Sequence, residues 1–245
     1  MFSDFTGVIL AGGQSSRMGY DKLLCALRSG GRNLIQTTTD IMSRLFSEVV
    51  IIGPGDRTDR FAGCTFTRSL PDKMANAGPM GGLDTALSSI TTPYAFIVSA
   101  DMPFLSESFI RYELRAFLEH QPVPKAFIPV TRRPDQDHRD QVPKHGFRAT
   151  ERRAPLLSPP PPGMAIEPLH AVYAASLAET VHACLEAQQR QLVQAIGALP
   201  PGQVVWWPWQ PAPPGVFDGA PADDVFFNVN TPEDLRAAAT RLGPS

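Results

Sequence analysis

The chain has 245 residues, 43% of them hydrophobic and 19% charged, a composition that excludes disorder throughout because so much apolar surface would stay in water. Lys and Arg total 22 against 24 for Asp and Glu, a net charge of -2, which lacks the basic excess of a dedicated nucleic-acid binder. Cys25, Cys64 and Cys184 are an odd, widely spaced set with no CxxC pair, as expected of a reducing compartment. Met1–Leu10 lacks a basic n-region and is interrupted by Asp4, so no signal peptide is read there. No apolar run approaches the roughly 20 residues of a membrane span, and the expected setting is the cytoplasm.

In chain order, Phe5–Leu10 is an apolar run ending at Ala11-Gly12-Gly13, a buried strand entering a turn. Apolar residues at helical spacing follow from Asn33, a suitable N-cap, to Phe46. Glu48–Ile52 reads as a second buried strand, Gly81–Ile90 as a helix, and Ala95–Ser99 as another strand, ending at Ala100-Asp101-Met102-Pro103. Ser106 caps a helix running to about Glu119, and Ala126–Val130 is one more strand. Continuous apolar strands alternating with helices predict an α/β fold, a mostly parallel sheet covered on both faces in three Rossmann-like layers. Thr131–Gly163, with four prolines at Pro159–Pro162 and many basic residues, reads as a long loop inserted in a single domain. Order resumes at Leu169–Tyr173, with helical pattern from Ser176 to Gln188 and again through about Leu199. Gln203–Trp207 and Val225–Phe227 read as strands. Thr231-Pro232-Glu233-Asp234 opens the last helix with a cap, a proline at the first helical position and acidic residues at the positive end.

The chemistry concentrates in Leu10-Ala-Gly-Gly-Gln-Ser-Ser-Arg-Met-Gly-Tyr-Asp-Lys22. Two glycines directly after the first strand let backbone N–H groups approach an anion, and Ser15, Ser16, Arg17 and Lys22 add donors and two positive charges. Open α/β sheets place ligands at this edge. A lone Gly-Gly would be only a turn; the donors clustered around this one favour phosphate binding. G-x-G-x-x-G is absent, which weakens a NAD-dependent oxidoreductase, and Tyr20-Asp21 before Lys22 breaks the P-loop pattern. Asp101 ends a buried strand at the same edge, where one carboxylate beside nucleotide phosphates suits Mg²⁺. Its bland alternative is a turn in which Asp101 caps its own backbone. Asn228 and Asn230 share one face of an extended segment, either for ligand contact or as turn chemistry ahead of Thr231. His170 and His182 read as packing or surface residues because no second ligand sits at metal spacing. Trp206, Trp207 and Trp209 read as a strand with one buried face rather than a cover for a ligand.

Leu10–Lys22 resembles the signature of the molybdenum cofactor guanylyltransferases, L-A-G-G-x-S-x-R-M-G-x-D-K. Asp72 ahead of Ala77-Gly78-Pro79-Met80-Gly81-Gly82, Asp101-Met102-Pro103-Phe104-Leu105, Leu169–Tyr173 and Asn228-Val229-Asn230-Thr231-Pro232-Glu233-Asp234-Leu235 are similar to further motifs of that family, in the same order. The resemblance implies transfer of GMP from GTP to the terminal phosphate of molybdopterin, with or without molybdenum, and release of pyrophosphate. It implies nucleotide contacts at Leu10, Ala11, Gly12, Gly13, Arg17, Lys22, Asp72, Gly78 and Asp101, catalytic roles for Arg17, Lys22 and Asp101, and Mg²⁺ on Asp101. Asn228 and Asn230 would lie on the acceptor side. GTP and molybdopterin are the implied partners, with transient contact to molybdoenzymes or their chaperones, no nucleic acid, no membrane, and a monomeric state. The alternatives are a cytidylyltransferase or sugar-phosphate relative, and a GTP-binding cofactor-delivery protein without turnover.

Overall fold

The structure, a computed structural model, describes residues 1–12, 21–27, 31–53, 61–74, 77–132, 161–213 and 215–242. Its strands are β1 (Phe5–Leu10), β2 (Val49–Gly53), β3 (Arg68–Pro71), β4 (Tyr94–Ser99), β5 (Ala126–Arg132), β6 (Met164–Ile166), β7 (His170–Ala174) and β8 (Val204–Pro208). The helices are α1 (Leu34–Leu45), α2 (Pro79–Leu87), α3 (Glu107–Glu119), α4 (Ala178–Glu186), α5 (Leu192–Gly197) and α6 (Pro232–Arg241). They flank one sheet of order β3-β2-β1-β4-β7-β5-β6, with β8 on β5.

β1, β2, β3 and β4 run parallel, and β8 runs parallel to β5. β7 is antiparallel to both β4 and β5, so β5 points the same way as β4. The register Leu10↔Ile52, Leu10↔Ser99 and Gly53↔Pro71 brings the carboxyl ends of β1 to β4 to one edge. Alternation along the strands supplies two cores. Val8, Leu10, Val50, Ile52 and Ile97 pack under α2 and α4, and Phe5, Ile9, Val49, Ile51, Phe96 and Val98 pack under α1 and α3.

The helix starts follow their capping residues. Asn33 Oδ1 accepts from Gln36 N (2.9 Å) while Asn33 N donates to Gln36 Oε1 (3.2 Å), a reciprocal box that satisfies two N–H groups at the start of α1. Ser106 Oγ accepts from Phe109 N at α3, and Thr231 Oγ1 from Asp234 N at α6. Such caps contribute about 1 kcal/mol each.

Three sequence expectations change. Val225–Phe227 is no strand: Phe227 N donates to Asp224 O in a turn, and Val225 and Phe226 are buried in an aromatic cluster rather than a ladder. β3 and β6 add strands that the apolar pattern does not mark, because β3 alternates half-buried with exposed residues and β6 spans three half-buried ones. The Pro-rich insertion is narrower than Thr131–Gly163 at its margins, since Thr131 and Arg132 extend β5 and pair with Ala165 and Met164. Most of it, residues 133–160, lies outside the described residues. Among the described residues, no helix is long and apolar enough to cross a membrane.

Candidate active site at the carboxyl edge of the sheet

The site is assembled around Lys22. Its Nζ donates to Asp101 Oδ2 (2.5 Å), to the Val229 carbonyl (2.7 Å) and to Asn230 Oδ1 (3.3 Å). An ammonium carries three N–H donors, and three oxygens from two distant segments receive them. Lys22 and Asp101 side chains are 19% and 12% exposed, so the pair is sheltered yet open on one side.

Each partner is placed by an element. Asp101 follows β4, its second oxygen accepts from Ser99 Oγ (2.5 Å), and its carbonyl accepts from Val229 N (3.0 Å). Lys22 lies in a short 3₁₀ turn whose start is capped by Asp21, which accepts from Leu23 N. Asn230 is held by the last helix: Asp234 Oδ2 accepts from Asn230 N (2.9 Å) and Thr231 N (2.8 Å). The Asn230 N–H bond, ahead of those from Thr231 and the nearby Lys22 charge, holds the Asp234 carboxyl below the usual carboxylate range. Asn228 turns elsewhere, its Nδ2 donating to Phe226 O (2.9 Å).

The other expected residues that the structure describes lie along the same edge. Leu10 is buried in the core, with its carbonyl accepting from Ala100 N, and Ala11 N donates to Ile52 O, so both reach the edge through main chain alone. Gly12 is exposed, and a Cβ there would meet nothing within 4 Å. Gly13 and Arg17, with Ser15 and Ser16, lie outside the described residues.

Asp72 directly follows β3 and accepts from Met74 N (3.0 Å). Burial pushes its carboxyl up against the lowering bonds from Met74 and Thr85, and Asp84 adds to the rise. Gly78 caps α2 at φ 63° and ψ -152°, a conformation that glycine adopts without the Cβ clash other residues meet. At Gly81 a Cβ would stand 2.9 Å from Ala77 Cβ and 3.0 Å from Asp72 Oδ1 and Met74 O. Gly81→Ala is therefore expected to displace the Asp72 turn and cost about 1–3 kcal/mol in urea unfolding. Gly82→Ala faces only the Leu10 side chain, at 3.1 Å, and should cost less.

Sequence reasoning missed the Val229 carbonyl, Ser99 and the hold of Asp234 on Asn230. Ser99 carried a signal, a polar residue closing an apolar strand two places before the carboxylate. A main-chain carbonyl carries none. Of the tryptophans, Trp206 and Trp209 are buried at 3% and 2% exposure, so neither offers a ring to a ligand. His182 lies at the surface beside Asp84 (3.3 Å), and His170 is in the core.

Asp101, Asn230 Oδ1 and the Val229 carbonyl are all hard oxygens gathered about one positive charge. Among the described residues no three His, Cys, Asp or Glu side chains cluster as an all-protein metal cage. One carboxylate supplemented by substrate phosphates is how Mg²⁺ is commonly bound, and these residues fit it.

A lysine and a carboxylate paired at the carboxyl edge of a Rossmann-like sheet, with the family match, define the class: this is an enzyme of the nucleotidyltransferase type. The chain belongs to the MobA-like NTP transferase family, whose domain it matches over residues 7–200. A relative from Natronomonas pharaonis, named "Probable molybdenum cofactor guanylyltransferase", is 29% identical over 243 residues, 97% of this chain and 98% of its own. One of the same name from Pelotomaculum thermopropionicum is 26% identical over 230 residues, covering 94% and 89%. The fold is shared with the crystal structure of molybdopterin-guanine dinucleotide biosynthesis protein A from Archaeoglobus fulgidus, with TM-score 0.67, 19% identity and coverage of 96% and 97%. It is also shared with 2-C-methyl-D-erythritol 4-phosphate cytidylyltransferase from Thermus thermophilus, with TM-score 0.57, 19% identity and coverage of 95% and 96%.

Proposed function

We propose that this enzyme transfers GMP from GTP to the terminal phosphate of molybdopterin, with or without bound molybdenum, acting as a single cytoplasmic domain and a monomer. The observation that carries the reading is the meeting of Lys22, Asp101 and Asn230, in a chain whose relatives bear the name "Probable molybdenum cofactor guanylyltransferase". A phosphate oxygen of the acceptor attacks the α-phosphorus of GTP, a new P–O bond forms, the bond to the β-phosphate bridge breaks, and pyrophosphate leaves with the charge. The attacking phosphate is already anionic at neutral pH, so no general base is required. What the protein contributes is in-line placement and charge neutralisation.

In this reading Gly12 and Gly13 offer backbone donors to the phosphates, and Lys22 leaves its ligand-free partners in part to join Arg17 on them. Leu10, Ala11, Gly78 and Asp72 line the nucleotide side. Asn228 and Asn230 face the acceptor. Mg²⁺, held by Asp101 and phosphate oxygens, would supply charge neutralisation at the α-phosphate and the leaving group. Product handover would bring transient contact with molybdoenzymes or their chaperones.

The test is pyrophosphate release with GTP or CTP, with and without molybdopterin and Mg²⁺. Release is expected only when GTP, molybdopterin and Mg²⁺ are combined. Faster turnover of CTP overturns the guanylyl assignment, and GTP binding without release identifies a delivery protein instead.

A further inference from the structure

One residue that the reaction leaves unused stands out at the surface. Asp218 has φ 49°, a left-handed conformation uncommon for a residue with a Cβ, in the Pro/Gly-rich segment between β8 and α6. Its carboxylate is spent on the first turn of α3. Oδ1 accepts from Ser108 Oγ (2.5 Å), and Oδ2 from Ser108 N (3.0 Å) and Ser106 Oγ (2.8 Å). The Ser106 hydroxyl stands equally close to the Val216 carbonyl (2.8 Å), so its one proton serves either acceptor. Burial alone would raise the Asp218 carboxyl, and the bonds from Ser108, Ser106 and Glu107 outweigh it and lower it.

The neighbours continue the tie. Phe217 stacks on Phe109 of α3 (5.6 Å, 22°), and Phe226 meets the same ring edge-on (5.6 Å, 82°). Three residues beyond Phe226, Val229 N binds the Asp101 carbonyl, and Val229 O and Asn230 Oδ1 receive Lys22. Asp101 itself is joined to α3 by only Met102–Ser106. The start of α3 is thus the common base for both halves of the site, one through covalent chain and the other through Asp218 and two phenylalanines.

We infer that Asp218 is a positioning residue for nucleotidyl transfer: by pinning residues 216–230 to α3 it sets where Val229 and Asn230 stand against Lys22 and Asp101. This rests on the proposed function for its kinetic consequence, though not for its geometric one. A displacement of about 1 Å of groups that align reactants can cost about 100-fold in rate.

The test separates backbone from carboxylate. Asp218→Gly removes the carboxylate and relieves the left-handed backbone, whereas Asp218→Asn keeps one acceptor oxygen and a side chain that tolerates that conformation. In Asp218→Gly, kcat/KM for molybdopterin is expected to fall about 10-fold to 100-fold, more than the GTP dissociation constant changes. Asp218→Asn should recover most of the loss. In the ligand-free protein, the Val229 amide should exchange hydrogen about 10-fold faster in Asp218→Gly than in wild type. Wild-type kinetics and wild-type Val229 exchange in Asp218→Gly overturn the inference, even if its melting temperature drops. Wild-type protein that releases no pyrophosphate from GTP and molybdopterin overturns the proposed function instead, and the exchange comparison still decides the role of Asp218.

Discussion

Asp101→Asn and Lys22→Ala are each expected to reduce pyrophosphate release from GTP by about 10²-fold to 10³-fold, the usual cost of deleting one group that stabilises transition-state charge. Asp101→Asn keeps the shape of the side chain and an acceptor for Ser99 Oγ, but it removes the negative charge facing Lys22 and any cation held there. Lys22→Ala leaves the Val229 carbonyl and Asn230 Oδ1 without their shared donor. Both residues sit at the edge of the sheet rather than in its core, so each variant should retain a cooperative unfolding transition. Wild-type rates in either variant would remove it from the catalytic set. If the two act as one unit, the double variant should lose little more than the worse single one.

The second large effect concerns stability. His170 on β7 and Glu113 on α3 are both fully buried, with Nδ1 and Oε2 2.9 Å apart. Among the described residues, no third group completes the hydrogen bonding of either side chain. Phe96, Phe109 and Phe226 surround the imidazole at 5.2, 5.5 and 5.1 Å between ring centres. Removing one partner strands the other, and His170→Ala is expected to lose about 3–5 kcal/mol in denaturant unfolding. Replacing both at once, as Glu113→Leu with His170→Phe, should be neutral or stabilising by about 1–4 kcal/mol, because no polar group is then left to be dehydrated without its full set of hydrogen bonds.

The sign of the pH effect follows from Glu113. Burial pushes its carboxyl up, by more than the facing His170 lowers it. A carboxyl raised in the folded state favours the fold fully below its unfolded value, and that contribution is lost as pH rises through the folded value. His170→Ala removes the opposing influence, so its deficit should be smaller near about pH 5 than near about pH 8. Denaturant midpoints at the two pH values measure this; an equal deficit would mean that cavity formation alone accounts for the loss.

Much of this arrangement is legible in the residues because it is local. β1, the Asp101 turn and the Thr231 cap each announce themselves within a few positions, by apolar run, proline or capping residue. What escapes is whatever depends on distant pairing. β7 reads as another buried strand, and nothing in His170–Ala174 says that it runs against β4. Val225 and Phe226 look like a ladder segment because burial by aromatic rings and burial by strands select the same side chains. Lys22 is conspicuous as a cation after the glycine turn, yet its acceptor on Val229 is 207 positions away and belongs to the backbone. The role of Asp218 is hidden for the same reason, being defined by serines 110 and 112 positions earlier.

The pairing of Arg132 with Met164 has a consequence for how this chain changes length. The two strands meet like the jaws of a hairpin, so the ladder closes without reference to how many residues separate them. Doubling such an excursion adds only about 0.6 kcal/mol of closure entropy. This junction is therefore where the molecule can gain or shed sequence at small thermodynamic expense while its catalytic edge keeps its shape.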